Sequence, residues 1–339
     1  MLDGSMTNPG FATALTLVIL GGLLTGAFAA PMKHLRRWRW ENIWSAYSIF
    51  ALVVIPALVI GCVVPDLWGI YKALPLERSL LILGLGYLWG VGCATFGLGI
   101  DRLGMGLGFS LIMGISTLLG TLTPLFMAEK MNLKPVPFAV GLGLLLTGIA
   151  VCGLAGDRRE RVAAALDGGP KRSYRTGLVI CIASGVLSSL FNTGMVAGRP
   201  VQEMAVRSGA PAWASGNAVW PMLLFGGFLA NITYCGYLVK KHHSLELYWK
   251  GGWREWLGAF AMGAAWIGGV MMYGAGAFYM GELGPVLGWP VFTALMLVCA
   301  YLLGRLAGEW RDASPGVVRA MNAGVALSVA SLFMISYSK

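Results

Sequence analysis

The chain has 339 residues, of which 57% are hydrophobic and only 12% charged, and its mean hydropathy is +0.71. An average soluble domain carries roughly 25% charged residues, so a water-soluble globular fold is excluded and an all-α integral membrane protein is expected. The net charge of +10 does not make nucleic acid a partner, because the basic residues alternate with apolar runs and form no single patch.

Apolar runs long enough to cross about 30 Å of hydrocarbon, roughly 20 residues each, fall at 10–32, 43–64, 80–100, 104–127, 136–155, 174–197, 212–239, 256–277, 284–304 and 316–337. The first ends in GAFAAP, which resembles a cleavage site, but no basic residue precedes it and many spans follow, so it reads as a retained helix. The connections after the odd-numbered spans, with the helix ends beside them, hold Lys33, Arg36, Arg37 and Arg39; Arg102; Arg158, Arg159, Arg161, Lys171, Arg172 and Arg175; Lys240, Lys241, Lys250 and Arg254; and Arg305, Arg311 and Arg319. These are 18 of the 25 Lys and Arg residues, so by the positive-inside rule the odd connections are cytoplasmic and both termini lie outside. His34, His242 and His243 fall in the same basic loops, where a solvated role is expected. Glu41 and Asp101 stand beside basic residues and read as their salt-bridge partners. The six cysteines form no CxxC pair and read as small buried hydrophobes.

The longest connection, GDRRERVAAALDGGPKRS, divides the chain near its middle, and the halves match each other. Trp89, Gly92, Phe96, Gly97 and Gly99 in the third span have the spacing of Trp266, Gly269, Tyr273, Gly274 and Gly276 in the eighth. The fourth and ninth spans open with LGMGLGF from Leu103 and LGPVLGW from Leu283. The first and sixth share GLLTGAF at Gly22 and GVLSSLF at Gly185. Three matches five helices apart imply a duplicated unit, 1–156 and 174–339, joined by a cytoplasmic linker, 157–173. Five is odd, so the copies enter the membrane in opposite senses: ten transmembrane helices as two inverted five-helix repeats. That is an architecture of secondary transporters, with the substrate between the repeats near the midplane.

No GxxxxGK[ST], HExxH or GxSxG motif and no metal-like His/Cys spacing is present, so neither an ATP site, nor a hydrolase, nor a metal or other cofactor is expected. Transport is then driven by a gradient or is passive. Glu282 lies in the outer turn FYMGELGPVLGWP between the eighth and ninth spans. It caps the ninth helix or pairs with Arg199 or Arg207, or it takes up a proton in a partly dehydrated vestibule. Glu203, in the outer loop after Pro200, is a second candidate for gating or proton entry. Asn192, Asn217 and Asn231 offer the donors and acceptors that a hydroxyl-rich cargo needs, and Trp89, Trp266, Tyr273 and Trp289 offer faces for the apolar side of a sugar ring. Interfacial anchoring for the tryptophans and helix-to-helix bonding for the asparagines compete with those roles.

APMKHLRRWRWENIWS at Ala30, WGVGCATFGLGIDRLGMGLG at Trp89, LFNTGMVAGRPVQEMA at Leu190 and LAGEWRDAS at Leu306 resemble the bacterial L-rhamnose-proton symporter family, a branch of the drug/metabolite transporter superfamily. The resemblance runs over nearly the whole chain. It implies ten helices in inverted repeats, a bacterial inner-membrane location with periplasmic termini, and uptake of a small-molecule sugar, L-rhamnose or a relative such as L-fucose, with protons; sodium is the alternative coupling ion. An exporter of amphiphilic or cationic metabolites, as in other branches of the superfamily, and a membrane sensor that binds without transport are the competing functions. Oligomeric state stays open, because glycine faces pack equally within and between chains.

Overall fold

The computed structural model describes residues 10–103, 105–127, 133–167, 174–308, 310–311 and 313–338. Among these, ten helices are long and apolar enough to cross a membrane, and each covers one of the ten expected runs. The side chains of Asp101 and of residues 105–107, residue 104 itself and the last part of the central connection, 168–173, lie outside what can be described.

The first span is the helix Gly10–Ala27, followed by a 3₁₀ turn, Ala30–His34. The second runs Trp40–Ile49, loosens to a π turn over Phe50–Val54, and resumes as Ile55–Val63. Pro56 stands at the start of that last segment, where its missing N–H is tolerated. Leu76–Leu103, Met105–Met127 and Pro135–Asp167 form the third to fifth spans. The fifth does not stop at 155 as expected, because the residues after Gly156 are mostly Arg, Glu and Ala, which carry a helix on past the apolar part. The sixth and seventh spans are each broken. Tyr174–Ala197 gives way at Gly198 to Arg199–Arg207, and Ala212–Asn217 gives way at Ala218 and Val219 to Trp220–His242. Pro200 and Pro221 open the second segments. Trp253–Tyr279 is the eighth span. The ninth starts with a 3₁₀ turn, Gly281–Leu283, and a π turn, Gly284–Gly288, before Trp289–Leu306. The tenth, Pro315–Tyr337, has Ser314 as its cap, the hydroxyl accepting the Val317 N–H.

The ninth span is the most enclosed, with 72% of its apolar stretch buried within the protein. Glycines let the others close around it. A Cβ at Gly22 would fall 2.6 Å from the Phe292 carbonyl oxygen and 2.8 Å from Leu295 Cβ. One at Gly185 would fall 3.0 Å from the Ile112 carbonyl oxygen and 2.8 Å from Ile115 Cβ. Likewise Gly269 faces the Thr25 amide at 2.9 Å, and Gly92 faces the Ser188 amide at 3.0 Å. The partners in each pair of contacts are residues that the sequence matches align. The first span thus meets the eighth and ninth as the sixth meets the third and fourth, while the fifth packs along the tenth.

The cysteines are all free. Cys62 corrects the expectation that all six are buried: it is exposed near the end of Ile55–Val63, where few neighbours remain to cover it, and Cys93 and Cys299 are half-buried.

Candidate functional site

The centre is filled by aromatic side chains from six spans. Repeat-matched Trp89 and Trp266 stack on each other, with ring centroids 5.7 Å apart and planes at 24°. Phe191 lies against Trp89 at 5.0 Å, is stacked on Trp220 at 4.8 Å, and reaches Trp289 at 5.9 Å. From Trp266 the contacts continue through Tyr47 and Trp44 to Trp40 near the basic end. Trp89 and Trp289 are buried and Trp266 is half-buried, so none of the three sits as an exposed interfacial anchor.

The three candidate asparagines are also central, and each is committed to protein groups. Asn192 donates to the carbonyls of Gly120 (2.7 Å) and Pro285 (3.0 Å), and its oxygen accepts from the Tyr273 hydroxyl. Those carbonyls lack the usual helical donors. The residue four on from Gly120 is Pro124, and the residue five on from Pro285, the partner spacing of a π turn, is Pro290; neither has an N–H. Asn192 therefore satisfies two groups orphaned by prolines and ties four spans together. Asn217, at the break in the seventh span, donates to the Trp213 carbonyl (2.7 Å) and the Met271 carbonyl (3.0 Å) and accepts from Trp220 Nε1 (2.7 Å). Asn231 donates to the Gly227 carbonyl at 2.9 Å and accepts from Trp44 Nε1 at 2.9 Å. In this conformation the amides bond helices to one another.

Glu282 and Glu203 come together at the end opposite the basic loops, where they line a 230 Å³ pocket with Arg199, Gln202, Phe278 and Pro285. The Glu282 side chain is 50% exposed, and its carboxylate lies 3.7 Å from the Arg199 guanidinium. It is thus paired as one of the expected alternatives has it, in a wet mouth. Gly281, at φ +65°, makes the turn that places it. The pocket floor meets the aromatic core through Pro285, whose carbonyl Asn192 holds.

The basic end is latched. Buried Glu41 accepts from Ser244 Oγ at 2.9 Å and lies 3.1 Å from Arg39 Nε and 3.0 Å from His242 Nδ1. Asn42 donates to the Ser244 carbonyl at 3.0 Å, and Trp38 to the Leu247 carbonyl at 2.7 Å. Glu41 is the salt-bridge partner expected of it, whereas His242, expected to be merely solvated, closes the second span onto the seventh. The sequence reasoning passed over Phe191, Trp220 and Gln202. Phe191 adjoins Asn192, and Trp220-Pro221 marks the restart of a broken helix, so both had a local signal; Gln202 had none.

Ten apolar helices around a packed aromatic centre, with a polar mouth at one end and a latched end opposite, define a multi-pass membrane transporter. The chain belongs to the family of the L-rhamnose-proton symport protein (RhaT), whose profile matches residues 10–336; it is a family of symporters, not enzymes. Proteins named L-rhamnose-proton symporter are similar over almost the whole length. The one from Cronobacter sakazakii is 26% identical, covering 92% of this chain and 94% of its own, and one from Escherichia coli is 24% identical, covering 90% and 92%. A solved crystal structure superposes with a TM-score of 0.61 at 17% identity over 96% of this chain and 97% of its own, a likeness of fold.

Proposed function

We propose that the protein carries L-rhamnose, or a closely related 6-deoxy sugar, inward with protons across the bacterial inner membrane by alternating access. The observation that carries this is the stacked pair Trp89 and Trp266, one from each half, at the centre of a chain whose relatives are named for rhamnose-proton symport. A sugar entering between the indoles would replace their mutual contact with contacts to its own apolar face, and its hydroxyls would draw on Asn192, Tyr273 and the neighbouring amides. The halves are inverted repeats. The glycine contacts at Gly22 and Gly185, and at Gly269 and Gly92, support that reading because aligned residues make them. With the basic loops cytoplasmic, both termini are periplasmic and the Glu203–Glu282 pocket opens outward. Glu282 is the proton-coupling candidate and Glu203 the secondary one. Arg199 pairs with Glu282 across this pocket, and parting of the pair would let the mouth close over loaded sugar. Coupling requires that proton and sugar bind one state better than the other, since equal binding shifts nothing.

One observation favours a second function, export of an amphiphilic cargo: the core is richer in aromatic rings than in uncommitted amides. Family membership weighs toward the sugar. Uptake of labelled L-rhamnose by proteoliposomes with an acidic exterior decides between them. Concentrative uptake that collapses with a protonophore, and competition by L-fucose but not by unrelated sugars, is the expected result. Saturable binding without flux would instead make the protein a sensor, and no binding of either sugar would move the cargo to another class.

A further inference from the structure

Among the described residues Asp66 and His243 are the two non-glycine residues at positive φ, +47° and +53°. Few side chains tolerate that backbone, Asp and His more readily than most. The two stand equally far in the chain before Trp89 and Trp266, the repeat-matched indoles, and Tyr71 and Tyr248 are matched by the same offset. Each half thus turns at a left-handed residue after its second span and then places a tyrosine, on the short helix Leu67–Ala73 in the first half and Leu247–Lys250 in the second. The two turns lie at opposite ends of the molecule, the second among the basic loops. Trp68 and Trp249 on the same helices are exposed at 69% and 73%, as side chains at a membrane boundary are.

Both tyrosines bond across to the opposite half. Tyr71 donates to the Ala218 carbonyl at 2.6 Å, in the break of the seventh span. Tyr248 lies 2.5 Å from Ser45 Oγ in the second span. Ser45 has one hydroxyl hydrogen, and it goes to the Asn42 carbonyl at 3.1 Å, so the tyrosine is the donor there too. The two acceptors flank the aromatic centre from its two ends: Ala218 follows Asn217, which holds Trp220, and Ser45 follows Trp44, which bonds Asn231. Leu67–Ala73 also packs on Arg199–Arg207, the helix that walls the Glu203–Glu282 pocket. Tyr248 stands in the segment that Glu41, Asn42 and Trp38 latch to the start of the second span.

We propose that Tyr71 and Tyr248 are the paired gates of the transport cycle, each donating the hydrogen bond that holds its own end of the central passage shut, a role that rests on the two halves being inverted repeats that open alternately. With both bonds made, as here, the passage is closed at both ends. Parting Tyr71 from Ala218 frees the end opposite the basic loops, and parting Tyr248 from Ser45 frees the basic end.

The test uses Tyr71→Phe and Tyr248→Phe in the full-length protein, changes that keep the ring and remove only the hydroxyl. Half-saturation for L-rhamnose is measured by counterflow in proteoliposomes of one orientation, from each side in turn. One hydrogen bond between membrane helices holds back opening by about threefold to about twentyfold. Apparent affinity scales with the population open to the ligand, so each change should lower half-saturation by that factor at its own end and not at the other. Backbone hydrogen exchange without sugar should rise over Leu67–Ala73 in the first variant and over Leu247–Lys250 in the second. Equal shifts at both ends, or weaker affinity at both, would make the tyrosines structural ties and overturn the proposal, as would exchange unchanged in either variant. If the unaltered protein moves no L-rhamnose, the transport reading fails on its own; the exchange pattern then decides the gates, which stand if each variant loosens its own end alone and fall if it does not.

Discussion

Replacing Asn192 by Leu keeps the branching of the side chain, with methyls in place of the amide oxygen and nitrogen, and removes three hydrogen bonds at once. The Gly120 and Pro285 carbonyls lose their donor, Tyr273 loses its acceptor, and Pro124 and Pro290 leave neither carbonyl the helical donor it would otherwise use. Hydrogen bonds between membrane helices are worth about 0.6 kcal/mol on average and up to about 1.7 kcal/mol, so three lost together should cost roughly 2–5 kcal/mol. The upper part of that range applies here, because the site is fully buried and the released groups have no alternative donors. Equilibrium unfolding of the purified protein in a graded detergent series measures this. Tyr273→Phe alone should cost about 1 kcal/mol, and the two changes combined should cost less than their sum, since they share one bond. A loss below about 0.5 kcal/mol, within the spread of ordinary surface substitutions, would refute the reasoning. So would strict additivity of the two changes, and unchanged stability with lost sugar binding would make Asn192 a ligand and not a tie.

Glu282→Gln should abolish accumulation of sugar while sparing exchange, read by counterflow in proteoliposomes; stability should stay within about 1 kcal/mol, because the Arg199 pair is solvent-screened. A mutant that still concentrates sugar would remove Glu282 from the coupling step. Gly269→Val should disrupt the packing of the first and eighth spans, since a Cβ there would lie 2.1 Å from Thr25 Oγ1 and 2.5 Å from the Gly21 carbonyl oxygen. Gly143→Val, with nothing within 4 Å, is the control, and the pair is compared by monodispersity and melting in detergent. Trp266→Phe should diminish the change in tryptophan fluorescence that L-rhamnose is expected to produce on separating the stacked indoles; an identical change in both proteins would place the sugar elsewhere.

The ten spans were legible because hydrophobic length is a property of the chain alone. The close glycine contacts were half legible: the repeated spacing marked Gly92 and Gly269, but which helix each would meet depends on packing. The break in the seventh span was hidden because Ala218 and Val219 are apolar and composition does not register a change in backbone direction, whereas the sixth apolar run ends at 197, which puts Glu203 in a loop, and the polar stretch after Gly198 forms the helix Arg199–Arg207 instead. The structure gathers the candidate tryptophans and asparagines at the centre, and their partners there were not foreseeable. Asn192 reads in the sequence as a candidate sugar ligand, and only the packing shows that Pro124 and Pro290 also leave two carbonyls for it to satisfy. Glu203 and Glu282, far apart in the chain, meet in one pocket only because a broken sixth span turns Arg199–Arg207 toward the start of the ninth.

The stacked indoles have a consequence for energy economy in the cell. A carrier must return empty after each delivery, and a vacant hydrophilic passage at that moment would let hydrogen ions run down the gradient that drives the cycle. Here the centre is filled by stacked rings, so a carrier returning with them in place would leave hydrogen ions no open path. Shaving either indole to alanine should then raise passive acidification of vesicles even where no sugar is present.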